Sequence, residues 1–297
     1  MAEKSIIWNL DNGSISLIAD NSEERLILMR KGFMTAFFEE IGNVEGKDTL
    51  KSTFRNLFTR LGAPQNLIEK SNIESYNEFA ENFIRPLDFD PSQVPDFFEW
   101  DGKERELKAF NNAVFRIIPL KVLMTFKEVS AEILTERGAT AILTAVARRA
   151  GLAVGEEAMS NYGWTEIKSA MDSMDGALSY SLPRLGWGRS RVAVGKDSGD
   201  NYMLYLKSWN SFESDNVKSD RPVCTILQHN LEGISLRTVQ ELTGGSTESR
   251  EVKCRAKGDD YCAFAIKQKD KEVKSLDWKE LEDEWRELDS VYPMPEE

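Results

Sequence analysis

The sequence predicts an α+β protein: a helical hairpin packed on an antiparallel β-sheet, with an additional mainly helical N-terminal region. Three observations predict it. Apolar residues recur at three- and four-residue steps over 122–150. Beyond residue 185 the period changes to two, and glycine-bearing turns separate the alternating segments. Helices grouped first and strands grouped after them are an α+β plan rather than an alternating one.

The elements follow in order. IIWNL, SISLIA and RLILM read as short strands, the first pair joined across Asp11-Asn12-Gly13, where Asn-Gly is a strong turn signal. Residues 31–62 read as helices punctuated by Gly42, Gly46 and Gly62. Residues 63–105 carry IRPLDFDPSQVPDFFEWDGKERE and read as a connector with short helical pieces. AVFRII at 113–118 is a strand stopped by Pro119. Val122, Phe126, Val129 and Ile133, then Ile142, Val146 and Ala150, describe the helical hairpin, expected to break at Gly138. RVAV, YMLYLKSW, VCTILQ, TESREVKC and YCAFAIK read as strands, with turns at Gly195-Lys196-Asp197, Gly244-Gly245 and Gly258-Asp259. The tail SLDWKELEDEWRELDS sets Trp278, Leu281, Trp285 and Leu288 on one helical face behind a Ser275 cap, a face expected to dock on the body of the protein. A loose internal echo relates 25–42 to 116–134. The expected division is therefore an N-terminal α/β region at 1–105, a principal domain at 106–270 and a C-terminal amphipathic helix and tail at 271–297.

Composition narrows the function. The chain has 297 residues and a net charge of −12, with no clustered basic face, so phosphate-backbone binding is not expected. Arg148-Arg149 sits inside an apolar helical pattern and reads as a solvated face. No run of eighteen uncharged apolar residues suggests a membrane span. MAEKSIIWNLDNGS lacks the plan of a secretory leader. Three cysteines make an odd number, which suits a reducing, cytoplasmic setting better than a disulfide framework. Gly42 to Gly46-Lys47-Asp48 is one residue short of a phosphate loop, and Gly186-Trp187-Gly188 lacks the third glycine of a dinucleotide fingerprint. No catalytic constellation emerges, and the reading leans away from an enzyme.

The chemistry concentrates at Cys224, Cys254 and Cys262. Cys254 ends one expected strand, Cys262 begins the next, and the Gly258-Asp259 turn brings them together, while Cys224 opens another expected strand and Glu251 supplies a carboxylate. Three thiolates and a carboxylate suit a closed tetrahedral zinc site. Spacing by itself leaves a second reading open, three unrelated buried thiols. Geometry also raises an objection. Residues three apart on a regular strand face opposite ways, so Glu251 and Cys254 share a metal only if a bulge or strand end lies between them.

Pro222-Val223-Cys224, His229-Asn230-Leu231-Glu232-Gly233, and Glu251-x-x-Cys254-x-Ala256-x-Gly258-Asp259-x-x-Cys262-x-Phe264 resemble the 4-vinyl reductase (4VR) domain family. That family is similar to the N-terminal sensor domains of phenol- and xylene-responsive activators and distantly similar to TRAPP trafficking subunits. Gly151, Gly155, Gly186-Trp187-Gly188 and Trp209-Asn210-Ser211-Phe212-Glu213 agree, and the resemblance covers about 106–270. It implies zinc (Zn2+) held by Cys224, Glu251, Cys254 and Cys262, and a hydrophobic pocket for an aromatic effector beside the metal. The ligand-binding candidates are Trp209, His229, Trp187, Asn230 and Phe212. His229 is the chain's one histidine, and an indole such as Trp209 can both stack on a ring and donate a hydrogen bond. Asn230 and Ile234 stand where the family has aromatic residues, and no ATPase or helix-turn-helix segment is present, so the ligand's identity does not carry over.

The function expected is binding or sensing of a hydrophobic, ring-containing small molecule by a homodimer that associates through its helical face. One alternative is an accessory or reductase protein of tetrapyrrole or aromatic metabolism. Against it, no nicotinamide or flavin fingerprint is present, and three cysteines cannot hold a four-cysteine cluster on one chain. The other alternative is an assembly or interaction subunit.

Overall fold

The computed structural model describes residues 5–19, 22–84, 94–103, 106–109, 113–196 and 201–269. The tail expected to form an amphipathic helix lies outside them, as do parts of the 85–112 connector. The chain divides into two compact units, Met1–Val146 with Pro183–Trp187, and Ala147–Leu182 with Gly188–Glu297. Among the described residues no helix is long and apolar enough to cross a membrane.

The first unit is built on a six-stranded antiparallel sheet. Strands β1 (Ser5–Asn9), β2 (Ser14–Ala19) and β3 (Ser22–Arg30) form a meander, and β3 pairs with β6 (Ala113–Pro119), giving the order β1-β2-β3-β6-β5-β4 with β4 (Glu99–Asp101) and β5 (Glu106–Ala109) at the far edge. β6 ends at Pro119, as expected of a residue with no N–H to give the ladder. Residue 106, the expected domain boundary, opens β5. β4 was not expected: its three residues, Glu-Trp-Asp, carry too little pattern to register as a strand.

Four helices follow the meander: α1 (Phe33–Glu45), α2 (Lys47–Arg60), α3 (Gln65–Lys70) and α4 (Ile73–Ile84). Their apolar stripes meet in an aromatic core. Phe37, Phe38, Phe54, Phe58 and Phe126 are fully buried. The Phe38 ring lies 4.2 Å from Phe54 and 5.0 Å from Phe126, within the range of favourable ring pairs. Phe126 comes from α5 (Leu120–Tyr162), which belongs to the first unit up to Val146 and to the second from Ala147. The break expected at Gly138 falls instead at Thr135, where φ is 67° and ψ is 154°. Gly138 stays helical, and its N–H donates to the Thr135 Oγ1 at 3.3 Å, so Thr135 caps the segment that restarts.

The second unit holds a four-stranded antiparallel sheet of β7 (Arg189–Lys196), β8 (Tyr202–Trp209), β9 (Ser246–Lys253) and β10 (Cys262–Lys269), in the order β7-β8-β10-β9. Helix α6 (Ile167–Arg184) precedes it, and α7 (Thr225–Thr243) joins β8 to β9. Here the strand expected at VCTILQ is corrected: Cys224 is the residue before a 19-residue helix. A β-branched start had the look of a strand. The buried positions Ile226, Asn230, Ile234 and Thr238 continue it at helical spacing.

Alternation sorts the sheet. Leu204 and Leu206 of β8 pair with Ile266 and Phe264 of β10, which pair in turn with Ser249 and Glu251 of β9. This face carries α7, whose Gln228 amide donates to Ser249 and whose Glu232 carbonyl accepts from the Thr247 hydroxyl. The other face presents Met203, Tyr205, Ala263 and Ala265 with Tyr261, and the half-buried Trp209 and Val252 pack against them.

Candidate functional site

The four residues singled out by spacing converge. One ligand atom from each of Cys224, Glu251, Cys254 and Cys262 lies within 4.8 Å of every other, and all four residues are buried. Three parts of the second unit position them. Cys224 is the N-cap of α7, Glu251 lies near the end of β9, and Cys254 and Cys262 flank the Gly258-Asp259 turn. That turn closes on itself, because the Cys254 N–H donates to the Asp259 carboxylate at 2.8 Å.

A bulge removes the objection raised by three-residue spacing. Ala263 pairs with Lys253 but Phe264 pairs with Glu251, so Val252 is an extra residue on β9. Val252 packs on the Tyr261 face, and the Lys253 Nζ sits 4.6 Å over the Tyr261 ring on that same face. Glu251 and Cys254 are thereby both returned to the α7 face.

The donor set fits a metal. A tetrahedral site with Zn–S bonds of about 2.3 Å has sulfur–sulfur edges of about 3.8 Å. The Cys224 and Cys262 sulfurs are 3.5 Å apart. Glu251 binds with one oxygen only: Oε2 accepts from the Cys224 N–H at 2.9 Å, while Oε1 is buried with no hydrogen-bond partner. An orphaned buried carboxylate oxygen beside three thiols is costly without a cation.

The electrostatics of the metal-free cluster agree. Burial pushes the Glu251 carboxyl up to about 9, helped by the neighbouring Cys254 sulfur. Burial likewise raises the Cys224 thiol. Hydrogen bonds from the Cys224 and Cys262 thiols hold Cys254 well below the ordinary range of a cysteine. Cys262 is pulled down by its Cys224 contact, yet Cys254 and burial carry it up to about 12. One thiolate shared by two thiols is what the cluster supports without a metal; a divalent cation lets all the donors ionise.

Several supporting residues were not expected. The Ser211 hydroxyl lies 3.5 Å from the Cys224 sulfur, Ser214 accepts from Cys262 at 3.4 Å, and the Arg255 N–H donates to the Cys262 sulfur at 3.4 Å. Glu213 is fully buried and its carboxylate accepts from the Leu227 N–H at 2.8 Å, capping the first turn of α7 from another segment. Glu232, on α7, accepts from the His229 Nδ1 at 2.8 Å and the Ser249 hydroxyl at 2.7 Å, and pairs with Arg148. These roles exist only because 225–243 is a helix, and a strand reading hides them.

The ligand candidates scatter. Trp187 lies in the first unit, donating from Nε1 to the Leu28 carbonyl at 2.9 Å. Phe212 is fully buried in a one-turn 3-10 helix. Asn230 faces α5, its amide donating to the Ala147 carbonyl at 3.5 Å. His229 is occupied by Glu232. Trp209 lies on the sheet face away from α7, its ring 5.9 Å from Tyr261, and its indole N–H is buried with no hydrogen-bond partner among the described residues.

Among curated proteins none matches the chain. Solved structures align at low identity. The phenol-responsive sensory domain of the transcription activator PoxR with phenol is 16% identical, covering 68% of this chain and 96% of that one, with a TM-score of 0.47. A trafficking protein particle complex subunit 3 from Naegleria fowleri covalently bound to palmitic acid is 13% identical, covering 51% and 95%, with a TM-score of 0.38. A mutant of T. Tengcongensis H-NOX is 12% identical, covering 83% and 100%, with a TM-score of 0.43. The family model of the 4-vinyl reductase (4VR) domain matches residues 206–268, a span that contains all four candidate ligands. Residues 206–268 are therefore a 4-vinyl reductase domain, the family that the cysteine and glycine spacing resembles.

Proposed function

We propose that this chain is a small-molecule sensing or binding protein whose 4-vinyl reductase domain is held together by a structural zinc ion. The observation that carries the reading is the buried convergence of Cys224, Glu251, Cys254 and Cys262 inside the matched segment. Four protein donors leave no position for a substrate, so the metal is a staple and not a catalyst. It ties the start of α7 to the β9–β10 turn, and loading it adds its binding energy to folding.

The proposed ligand is hydrophobic and ring-containing. Trp209 supports this, because an indole beside Tyr261 with an unsatisfied N–H offers both a stacking face and a donor. A homodimer formed through the apolar helix at 122–134 belongs to the same reading, and a light-scattering mass near that of one chain overturns that part of it.

Elemental analysis of the purified chain tests the metal, with about one zinc per chain expected. Cys254→Ser should lose the metal and several kcal/mol of stability, on the order of 3. Metal-free protein after careful preparation in reducing buffer sinks the zinc proposal. For the ligand, a thermal-shift screen of aromatic and tetrapyrrole compounds compares wild type with Trp209→Ala. A binder raises the wild-type midpoint by mass action, and the variant folds but loses the shift. A screen in which no compound stabilises the wild type removes the sensing proposal and leaves the assembly-subunit alternative.

A further inference from the structure

The first unit contains a cleft that lies outside the 4-vinyl reductase segment and that the sensing proposal does not use. It has an open volume of about 360 Å3 and lies among the end of β3, the start of α1, α4 and β6. Its polar lining is cationic: Arg30, Lys31 and Arg116 all contribute. In a chain of net charge −12, three cations on one cleft are a local reversal of sign.

One carboxylate partly answers them. The buried Glu106 accepts from the Lys31 Nζ at 2.7 Å and from the Arg116 Nη2 at 3.5 Å, and Arg116 also donates to the Asn77 Oδ1 at 3.3 Å. These bonds set the direction of both cations, and the two share that single carboxylate.

Helix α1, of thirteen residues, begins in the same cleft. Its N-cap is Gly32 with φ at 96°, no side chain caps it, and no acidic residue occupies its first turn. A Cβ built at Gly32 meets nothing within 4 Å, so the helix start faces open space. Amides of an uncapped first turn carry partial positive charge and lack intrahelical acceptors. Neighbouring helix starts are served differently: the Ser75 N–H of α4 donates to Asn72, and the Leu227 N–H of α7 to Glu213.

An independent feature points the same way. Tyr76 is 4% exposed, its ring packs 4.9 Å from Phe38, and it lines the cleft. Among the described residues no hydrogen bond reaches its hydroxyl. Burial raises its phenol above the ordinary range, so it is a donor at neutral pH. A buried donor that no protein group satisfies is the counterpart of an acceptor from outside. Met34, Ile117 and Ile118 supply an apolar wall beside it.

We propose that this cleft is an oxyanion-binding site, taking the carboxylate or phosphate group of a small molecule. The anion sits between Lys31, Arg116 and the first-turn amides of α1 and accepts a hydrogen bond from the Tyr76 hydroxyl. Nothing in the site depends on the zinc cluster.

The test is calorimetric titration of the full chain with sodium phosphate and, separately, sodium benzoate, at constant ionic strength made up with chloride. Saturable binding of at least one oxyanion is expected; phosphate alone assigns a phosphoryl group, benzoate alone a carboxylate with an apolar body. Tyr76→Phe keeps the ring packing and should raise Kd about tenfold through loss of one charge-assisted hydrogen bond. Lys31→Gln, at an exposed side chain, should raise it about threefold. The wild-type affinity should survive zinc chelation. If neither anion binds more than chloride does, or if Tyr76→Phe binds as tightly as wild type, the proposal is wrong.

Discussion

Glu232 is a buried carboxylate whose side chain is 4% exposed, facing His229, Ser249 and Arg148. Burial pushes its carboxyl up, but the hydrogen bonds from His229 and Ser249 and the Arg148 charge outweigh that and hold it below 4.5. A depressed folded-state value means that the unfolded chain takes up the proton first as pH falls. Glu232 therefore contributes stability above about pH 4.5, lost as pH drops through the lower folded-state value. Glu232→Gln should cost about 2 kcal/mol at pH 7, since hydrogen bonds to a charged group are lost. It should also flatten the acid limb of a urea-denaturation series between about pH 6 and 3. An unchanged acid limb excludes Glu232 as a source of the pH dependence. At this scale the sequence was partly legible. The four metal donors were readable from their types and spacing, whereas Glu213 and Glu232 look like ordinary solvated acids until α7 buries them.

Helix α7 touches α5 backbone to backbone. A Cβ at Gly233 would stand 2.8 Å from the Leu152 nitrogen and also meet the Arg148 carbonyl, and one at Gly155 would stand 2.8 Å from the Ile234 carbonyl. Backbone cannot yield as a flexible side chain does, so the crossing demands glycine for space. Gly233→Ala should destabilise by about 3 kcal/mol. Gly176→Ala, in α6 where a Cβ meets nothing within 4 Å, should instead stabilise by up to about 1 kcal/mol through helix propensity. Chemical denaturation of the two variants checks the contrast, and equal effects would show that the crossing is not tight. The helix that makes this contact was the element misread as a strand. Thr225 and Ile226 begin it with β-branched residues, and local propensity yields to the burial of one face along all 19 residues.

The second unit depends on its cluster in a way the first does not. Cys224, Cys254 and Cys262 join α7 to β10 and the turn before it, and every ligand lies within 206–268. The first unit has its own core of fully buried Phe37, Phe38, Phe54, Phe58 and Phe126. Chelation of the metal should therefore loosen one unit selectively. Hydrogen exchange should accelerate at amides of α7, β9 and β10, while those of β3 and β6 keep their protection. Uniform acceleration through both sheets would contradict an independent first unit.

Periodicity alone determined the α+β class, the strands from β7 to β10 apart from the misread segment, and the stop at Pro119, because each is a local property of spacing or of a missing N–H. Residue type and spacing determined which three sulfurs and which carboxylate to examine. Only the tertiary structure decided that they meet. One extra residue, Val252, turns Glu251 and Cys254 to the same face, and pairing registers that create a bulge are set by the partner strand. The cleft of Arg30, Lys31, Tyr76 and Arg116 was not legible at all. Its members are spread from position 30 to position 116, and no periodic signal links residues that only the antiparallel pairing of β3 with β6 and the packing of α4 bring together.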